Sequence, residues 1–289
     1  MKKYVVYTAN IGNYDNIVQP QVLHDEFDFI LFTDAIKESK IGVWETKNAD
    51  YSHHDKTRIS RWLKTHPEKL VNNYVFSIWI DSNIQIKSID FYLRAIELYQ
   101  NGEVISSMWH NERDCIYDEA AVVAYDNLDS EKNILDWEHK LLKEKYPQHH
   151  GLFETNVLYR NHHDSKICQF DDLWWSAIDS FSRRDQLSFN YALWKLGINC
   201  PYYLSLGENT RNSEHVKLCP HNNSSNRYYK KSDNRIVQYF RLMSTDKERL
   251  GNIYKSISSY PCRHITAFFI GNYFRFLYYF RLFLRRIQS

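Results

Sequence analysis

The densest chemistry in the chain sits where an apolar run stops. Val75–Ile80 (VFSIWI) passes straight into Asp81-Ser82-Asn83. Carboxylate and amide oxygens at a strand end are hard ligands, suited to Mg²⁺ or Mn²⁺ bridging a diphosphate. Asn83 offers only a neutral carbonyl where a second carboxylate would bind more strongly, and turn-forming caps are the plain alternative for both residues. His221, in a late polar loop, is the candidate ligand that completes a metal set with Asp81 and Asn83. Arg58, Arg61 and Lys64 recur every three residues, which puts neighbours on adjoining parts of one helix face. Cations so placed can neutralise a diphosphate, with arginine gripping it bidentately; a solvated basic face is the alternative. In Ser182-Arg183-Arg184-Asp185-Gln186, Ser182 can cap a helix with Asp185 at its third position. Asp185 can equally be a carboxylate at the positive end of that helix, taking or orienting a substrate proton. The segment from His110 to Glu119 is dense in titratable groups and reads otherwise as a charged surface loop. The 13 histidines include no HExxH spacing, so a metalloprotease signature is absent.

Elements must position these residues. Lys3–Thr8, Phe27–Phe32, Val75–Ile80, Val104–Met108 and Asn156–Tyr159 read as strands. Helices are expected over His54–Leu70, Phe91–Gln100, Leu128–Tyr146, Ile167–Ser180 and Asp185–Leu196, the last stopped by Gly197. Trp109–Glu119 reads as irregular, and Gly207–Ser232 as a mobile polar loop. Alternating strands and helices predict an α/β fold with a largely parallel sheet. Ligands of such sheets bind at the carboxyl edge, where Thr8–Asp15, Thr33-Asp34 and Asp81–Asn83 converge. Trp174 and Trp175 offer flat rings on which sugar C–H faces pack, but adjacent helical residues cannot both point inwards.

Taken in order, several segments resemble one known family. They are Val6–Asp15, Phe32-Thr33-Asp34, Arg61-x-x-Lys64-x-His66-Pro67, Ser77–Asn83, Tyr117-x-Glu119-Ala120, Gly151-Leu152-x-Glu154-x-Asn156-x-x-x-Arg160, and Trp174-Trp175 through Arg184–Phe189. The set resembles a glycosyltransferase-like family long carried as a domain of unknown function. Its plant members are linked to seed mucilage and turgor control, and its bacterial members come from surface-polysaccharide clusters. The likeness covers roughly residues 4–205. It implies a GT-A-type, Rossmann-like fold: a mixed, mostly parallel sheet flanked by helices. It also implies a nucleotide-sugar donor, UDP-linked, with Mn²⁺ or Mg²⁺ as cofactor. By the resemblance, Thr8, Ala9, Asn10 and Asp34 line the nucleoside pocket, and Arg61, Lys64 and Asp81, with Ser82 and Asn83, meet the diphosphate. His110, Arg113, Glu119, Glu154 and Asp185 face the sugars. Glu154 and Asp185 are the catalytic candidates, and Trp175, Arg184 and Gln186 join the acceptor side. One plant member is linked to ceramide hydrolysis, so a membrane-associated amidase or ceramidase-like hydrolase is an alternative, as is a non-catalytic glycan-binding module.

Composition bounds these readings. The chain has 289 residues, few glycines and prolines, and 16 % aromatics. A catalytic domain over 1–235 and a tail over 236–289 are expected. Residues 227–289 hold 13 Lys/Arg against 3 acids, or +10, while the 24 basic and 32 acidic residues of 1–226 give −8. In the tail, Phe269, Tyr273, Phe276, Phe280 and Phe283 fall on one helical face and Arg275, Arg281, Arg285 and Arg286 on another. A basic helix with an aromatic face suits the membrane interface. No stretch of roughly 20 apolar residues occurs, so no membrane-spanning helix is expected. The five cysteines form no CxxC and suit a reducing compartment. The expectation is a cytoplasmic enzyme, peripheral on the inner membrane face. It would transfer sugar to a lipid-linked or growing surface glycan. The acidic body argues against nucleic acid as a partner.

Overall fold

The computed structural model of the chain describes residues 2–125 and 128–221. The chain divides into two compact units, Met1–Asn111 with Leu152–Asn226, and Glu112–Gly151 with Arg227–Ser289. The expected tail helix and the boundary after residue 235 lie outside the described residues.

The first unit is built on a seven-stranded sheet. Its spatial order is β3 (Lys40–Ile41), β4 (Trp44–Asn48), β2 (Phe27–Thr33), β1 (Tyr4–Asn10), β5 (Ser77–Ile80), β8 (Phe153–Arg160) and β7 (Ile105–Trp109). The central strands β4, β2, β1 and β5 run parallel. β3 pairs antiparallel with β4, and β8 pairs antiparallel with both β5 and β7. The sheet is therefore mixed with a parallel centre, in an α/β fold as expected.

Strands covered on both faces read as continuous apolar runs, and every residue of β1 (YVVYTAN) is buried. Alternate residues serve opposite cores. Val6, Leu31 and Ile78 pack with Phe91, Ala95 and Leu98 of α3 (Asp90–Gln100). Val5, Tyr7, Ile30, Phe32 and Trp79 pack on the other side, with Leu63 of α1 (Lys56–Thr65), Phe170 and Trp174 of α6 (Ser165–Ser180) and Phe189 of α7 (Gln186–Leu196). Each such side chain contributes roughly 1.5–3 kcal/mol when fully buried.

Helix ends fix what faces the sheet edge. Asp55 caps α1 by accepting from the Thr57 N–H at 2.9 Å. The helix expected over 54–70 is two helices, because Pro67 cannot continue α1 and instead opens α2 (Pro67–Leu70). Asp185, not Ser182, is the N-cap residue of α7, and its side chain makes no capping bond. The Ser182 hydroxyl accepts from the Arg184 N–H at 3.2 Å instead. Gly197 ends α7 in the left-handed conformation, φ +60°. A short second sheet pairs β6 (Ile84–Ile86) with β9 (Val216–Leu218), inside a segment expected to be loop throughout.

The second unit contributes α4 (Ile116–Tyr125) and α5 (Glu131–Lys143). α4 begins within the stretch read as irregular. Ser130 caps α5 by accepting from the Asn133 N–H at 3.2 Å. Among the described residues, no helix is long and apolar enough to cross a membrane.

Candidate active site

Parallel β1, β2 and β5 deliver their carboxyl ends to one edge. Antiparallel β8 delivers its beginning to the same edge, where the Asp81 N–H donates to Asn156 O at 2.8 Å. A buried ion-paired centre forms there. Lys64, fully buried at the end of α1, donates to Asp185 Oδ2 at 2.6 Å and lies 3.5 Å from Asp81 Oδ1. Arg61 Nε stands 3.1 Å from Asp185 Oδ1. The Thr155 hydroxyl donates to Asp185 Oδ2 at 2.9 Å, and the Trp174 indole N–H donates to the Asp185 carbonyl at 2.9 Å. The Lys64 ammonium also lies 5.6 Å from the Trp79 ring and 5.8 Å from the Trp174 ring, within cation–π range. Behind it, the Tyr7 hydroxyl and Arg160 both donate to Lys64 O, and Arg160 is anchored on Asp171 Oδ1 at 2.5 Å.

The electrostatics follow from this geometry. Burial pushes the Asp185 carboxyl up, but Arg61 and Lys64 outweigh it and hold the group well below the usual carboxylate range. Burial pulls the Lys64 ammonium down, against the opposing pull of Asp185 and Asp81. Asp185 is thus placed as a counter-ion, only 3 % exposed, with both oxygens engaged. A general base needs a pKa near the working pH and access to the proton. Asp185 has neither in this arrangement.

Around Asp81 the loops are tied together. Trp79 Nε1 donates to Asp81 Oδ1 at 2.8 Å. Ser82 Oγ donates to Asp15 Oδ2 at 2.7 Å, and His221 Nδ1 bonds to Asp15 Oδ1 at 2.8 Å. That Asp15 contact is the main cause raising the His221 pKa. Asn83 Nδ2 donates to Cys219 O at 2.9 Å and lies 3.5 Å from His221 Nε2. Asn83 therefore turns its amide nitrogen, not its oxygen, towards His221. Asp81 spends one oxygen on Trp79 and Lys64. Asp81, Asn83 and His221 are thus each engaged with neighbouring residues, and Lys64 supplies positive charge at Asp81.

The remaining sequence candidates sort by location. Asn10 clamps its own loop, donating to Asp15 O at 2.7 Å and accepting from Asp15 N at 3.2 Å. Asp34 accepts from the Gly12 N–H at 2.7 Å and pairs with Lys56 at 3.5 Å, holding Gly12 at φ +69°. Thr8 is buried with no partner for its hydroxyl, and Ala9 is a core residue. Arg58 leaves the diphosphate set: it pairs with Asp55 at 3.0 Å and donates to Ile178 O and Phe181 O, tying α1 to α6. Trp175 packs edge-on against Tyr51 and His66, in a group where Tyr51 and His66 stack on Trp62; the indole at the ionic centre is Trp174. Arg184 keeps a buried Nε without a partner, and its charge acts on both Asp185 and His221. Gln186 donates to Phe153 O at 3.0 Å. Glu154 is saturated: its carboxylate accepts from Asn156, Thr210 and Arg211. His110 is buried, and its backbone N–H donates to Leu152 O. In the second unit, Arg113 pairs with Glu119 at 2.6 Å and with Glu112 at 2.8 Å.

The sequence alone assigns no individual role to Trp79, Thr155, Thr210 or Arg211, and marks Asp15 only as the end of a polar strand-end segment. The Trp79 signal was available, since residues two apart on a strand share a face and put the indole beside Asp81. The Thr155 contact had no local signal, because it depends on β8 running antiparallel.

Among solved structures, the apo form of the bifunctional glycosyltransferase WbbM is similar at 8 % identity and TM-score 0.44, over 87 % of this chain and 51 % of that one. The chain thus spans about half the length of that structure, and the likeness is too distant to assign residues. No curated protein sequence matches the chain. A family model described as "TOD1/MUCI70, glycosyltransferase-like domain" matches residues 1–221. With most of its length so matched, the chain belongs to the TOD1/MUCI70 glycosyltransferase-like domain family.

Proposed function

We propose that the chain is a GT-A-type glycosyltransferase that moves a sugar from a nucleotide-sugar donor, UDP-linked, to a lipid-linked or growing surface glycan. The observation that carries this reading is the ion-paired centre at the sheet edge, with the terminal nitrogens of Arg61 left over for a ligand. Arg61 and Lys64 converge there on Asp185, and no described residue occupies the terminal nitrogens of Arg61. A diphosphate is the ligand whose charge and oxygen spacing suit such a group. In the transfer, the acceptor hydroxyl oxygen bonds the anomeric carbon as the bond to the diphosphate oxygen breaks, and the hydroxyl proton passes to the departing diphosphate. The nucleoside diphosphate leaves with the electron pair. Arg61, Lys64 and Arg184 stabilise the charge that develops on it. Asp185 positions Lys64 and Arg61, and Asp81, aligned by Trp79, borders the donor. No step is assigned to Mn²⁺ or Mg²⁺ at Asp81, Asn83 and His221, given how those groups are engaged. The basic aromatic tail, outside the described residues, would hold the enzyme to the inner membrane face.

The test is a screen of nucleoside diphosphate sugars for hydrolysis and for thermal stabilisation, each with Mn²⁺ and with chelator. The reading expects at least one donor to be hydrolysed slowly and to stabilise the protein in chelator. Absence of any effect across the screen would remove the donor site.

A further inference from the structure

The titratable stretch that the donor site does not absorb holds a second constellation. Cys115 immediately precedes α4, and Asp118 lies on its first turn, three residues on and so on the same face. His149 lies in the segment before β8. One ligand atom from each of the three residues falls within 4.8 Å of the others. Cys115 is buried and Asp118 half-buried, and His149 is exposed. Among the described residues, this is the one group of three such side chains close enough to share an ion.

Two independent features fit a metal. His149 Nδ1 bonds to Asp114 Oδ1 at 2.8 Å. A carboxylate on one ring nitrogen fixes the tautomer that leaves the other nitrogen's lone pair for a cation, the usual outer-shell support of a ligating histidine. His149 also holds φ +53°, a left-handed backbone that a non-glycine residue adopts at a cost.

We propose that Cys115, Asp118 and His149 form a site for a borderline-soft divalent cation, zinc by its donor set, with Asp114 as outer-shell support. Sulfur, imidazole and carboxylate together select zinc over the harder Mg²⁺ and Mn²⁺. Three protein ligands leave a fourth position for water or a further ligand. The ion clips the His149 segment to the start of α4, so its binding adds to the stability of the second unit. The proposal is independent of the donor site.

The experiment titrates full-length protein, stripped with chelator, with Zn²⁺ and with Co²⁺. One equivalent should bind, and the cobalt form should show thiolate-to-metal charge-transfer absorption in the near ultraviolet. Cys115→Ser should abolish that absorption. His149→Ala, at an exposed position that leaves the fold unchanged by circular dichroism, should weaken binding by more than tenfold. Asp114→Asn should weaken it by roughly tenfold. Cobalt bound at the donor edge would lack the thiolate band, so the two sites are told apart. Absence of a charge-transfer band in the wild type would overturn the site. So would a band that persists in both Cys115→Ser and His149→Ala, since one of the other four cysteines would then supply the sulfur.

Discussion

The pair at the centre of the site can be dissected by a double-mutant cycle on Lys64 and Asp185. Lys64→Met removes the ammonium and keeps most of its volume. Asp185→Asn keeps the shape and removes the charge. Both side chains are essentially excluded from solvent, 0 % and 4 % exposed, so solvent screening does not discount their interaction. Removing one partner of a buried pair costs about 3–5 kcal/mol. Lys64→Met should fall at the low end, about 3 kcal/mol, because Arg61 and Thr155 still compensate Asp185. Asp185→Asn should fall at the high end, about 5 kcal/mol, because two buried cations then face each other with only Asp81 near Lys64. In the double variant one cation is gone, so the total should stay below the sum by about 2–3 kcal/mol. Urea unfolding at pH 7.5 reads this as shifts in midpoint at constant slope. Single costs under about 1 kcal/mol, or additivity within about 0.5 kcal/mol, would refute the reasoning.

Other predictions follow from the same centre and its surroundings. Arg61→Ala should cost about 3 kcal/mol, the low end for a buried pair, because Lys64 and Thr155 still compensate Asp185, and should weaken nucleoside diphosphate binding at least tenfold; urea unfolding and calorimetry on the folded variant read the two effects separately. Burial holds the His66 pKa down at about 4, so the folded state resists protonation that the unfolded chain accepts below pH 6.5. Its contribution is complete above that value and is lost as pH falls towards 4. Between pH 7.5 and 5 this amounts to about 2 kcal/mol, and His66→Gln should flatten that part of the stability profile. Glu154→Gln should keep turnover within about tenfold, since the carboxylate is engaged by Asn156, Thr210 and Arg211; a loss beyond about a hundredfold would restore Glu154 as acid or base. In liposome flotation the full-length chain should float with anionic vesicles and a chain ending at Ser259 should not, and equal flotation would sink the anchor.

Much of the frame was legible because its strands are buried on both faces. VFSIWI and FDFILF announce themselves as continuous apolar runs, and their polar ends locate the edge where Asp81 and Asp34 lie. β4 (WETKN) was not legible: it is a partly exposed strand without an apolar run, ordered by pairing with β2. β9 was hidden in a polar stretch because its partner, β6, supplies the ladder that local sequence cannot show. α4 was obscured by the charged residues that open it. The three-residue spacing found Arg61 and Lys64 but also admitted Arg58, whose partners Ile178 and Phe181 lie far along the chain. Asp185 was found by its place at a helix start. Its role as counter-ion required Lys64, remote in sequence and brought next to it by the packing of α1 against α6 and α7.

The central claim is that Arg61, held by Asp185 beside the buried Lys64, grips the donor diphosphate. Calorimetric titration of UDP into the full-length protein, in chelator, tests it most directly. The account predicts saturable binding that Arg61→Ala weakens at least tenfold while the fold is retained. Binding that appears only with added Mn²⁺, or that Arg61→Ala leaves unchanged, would contradict it.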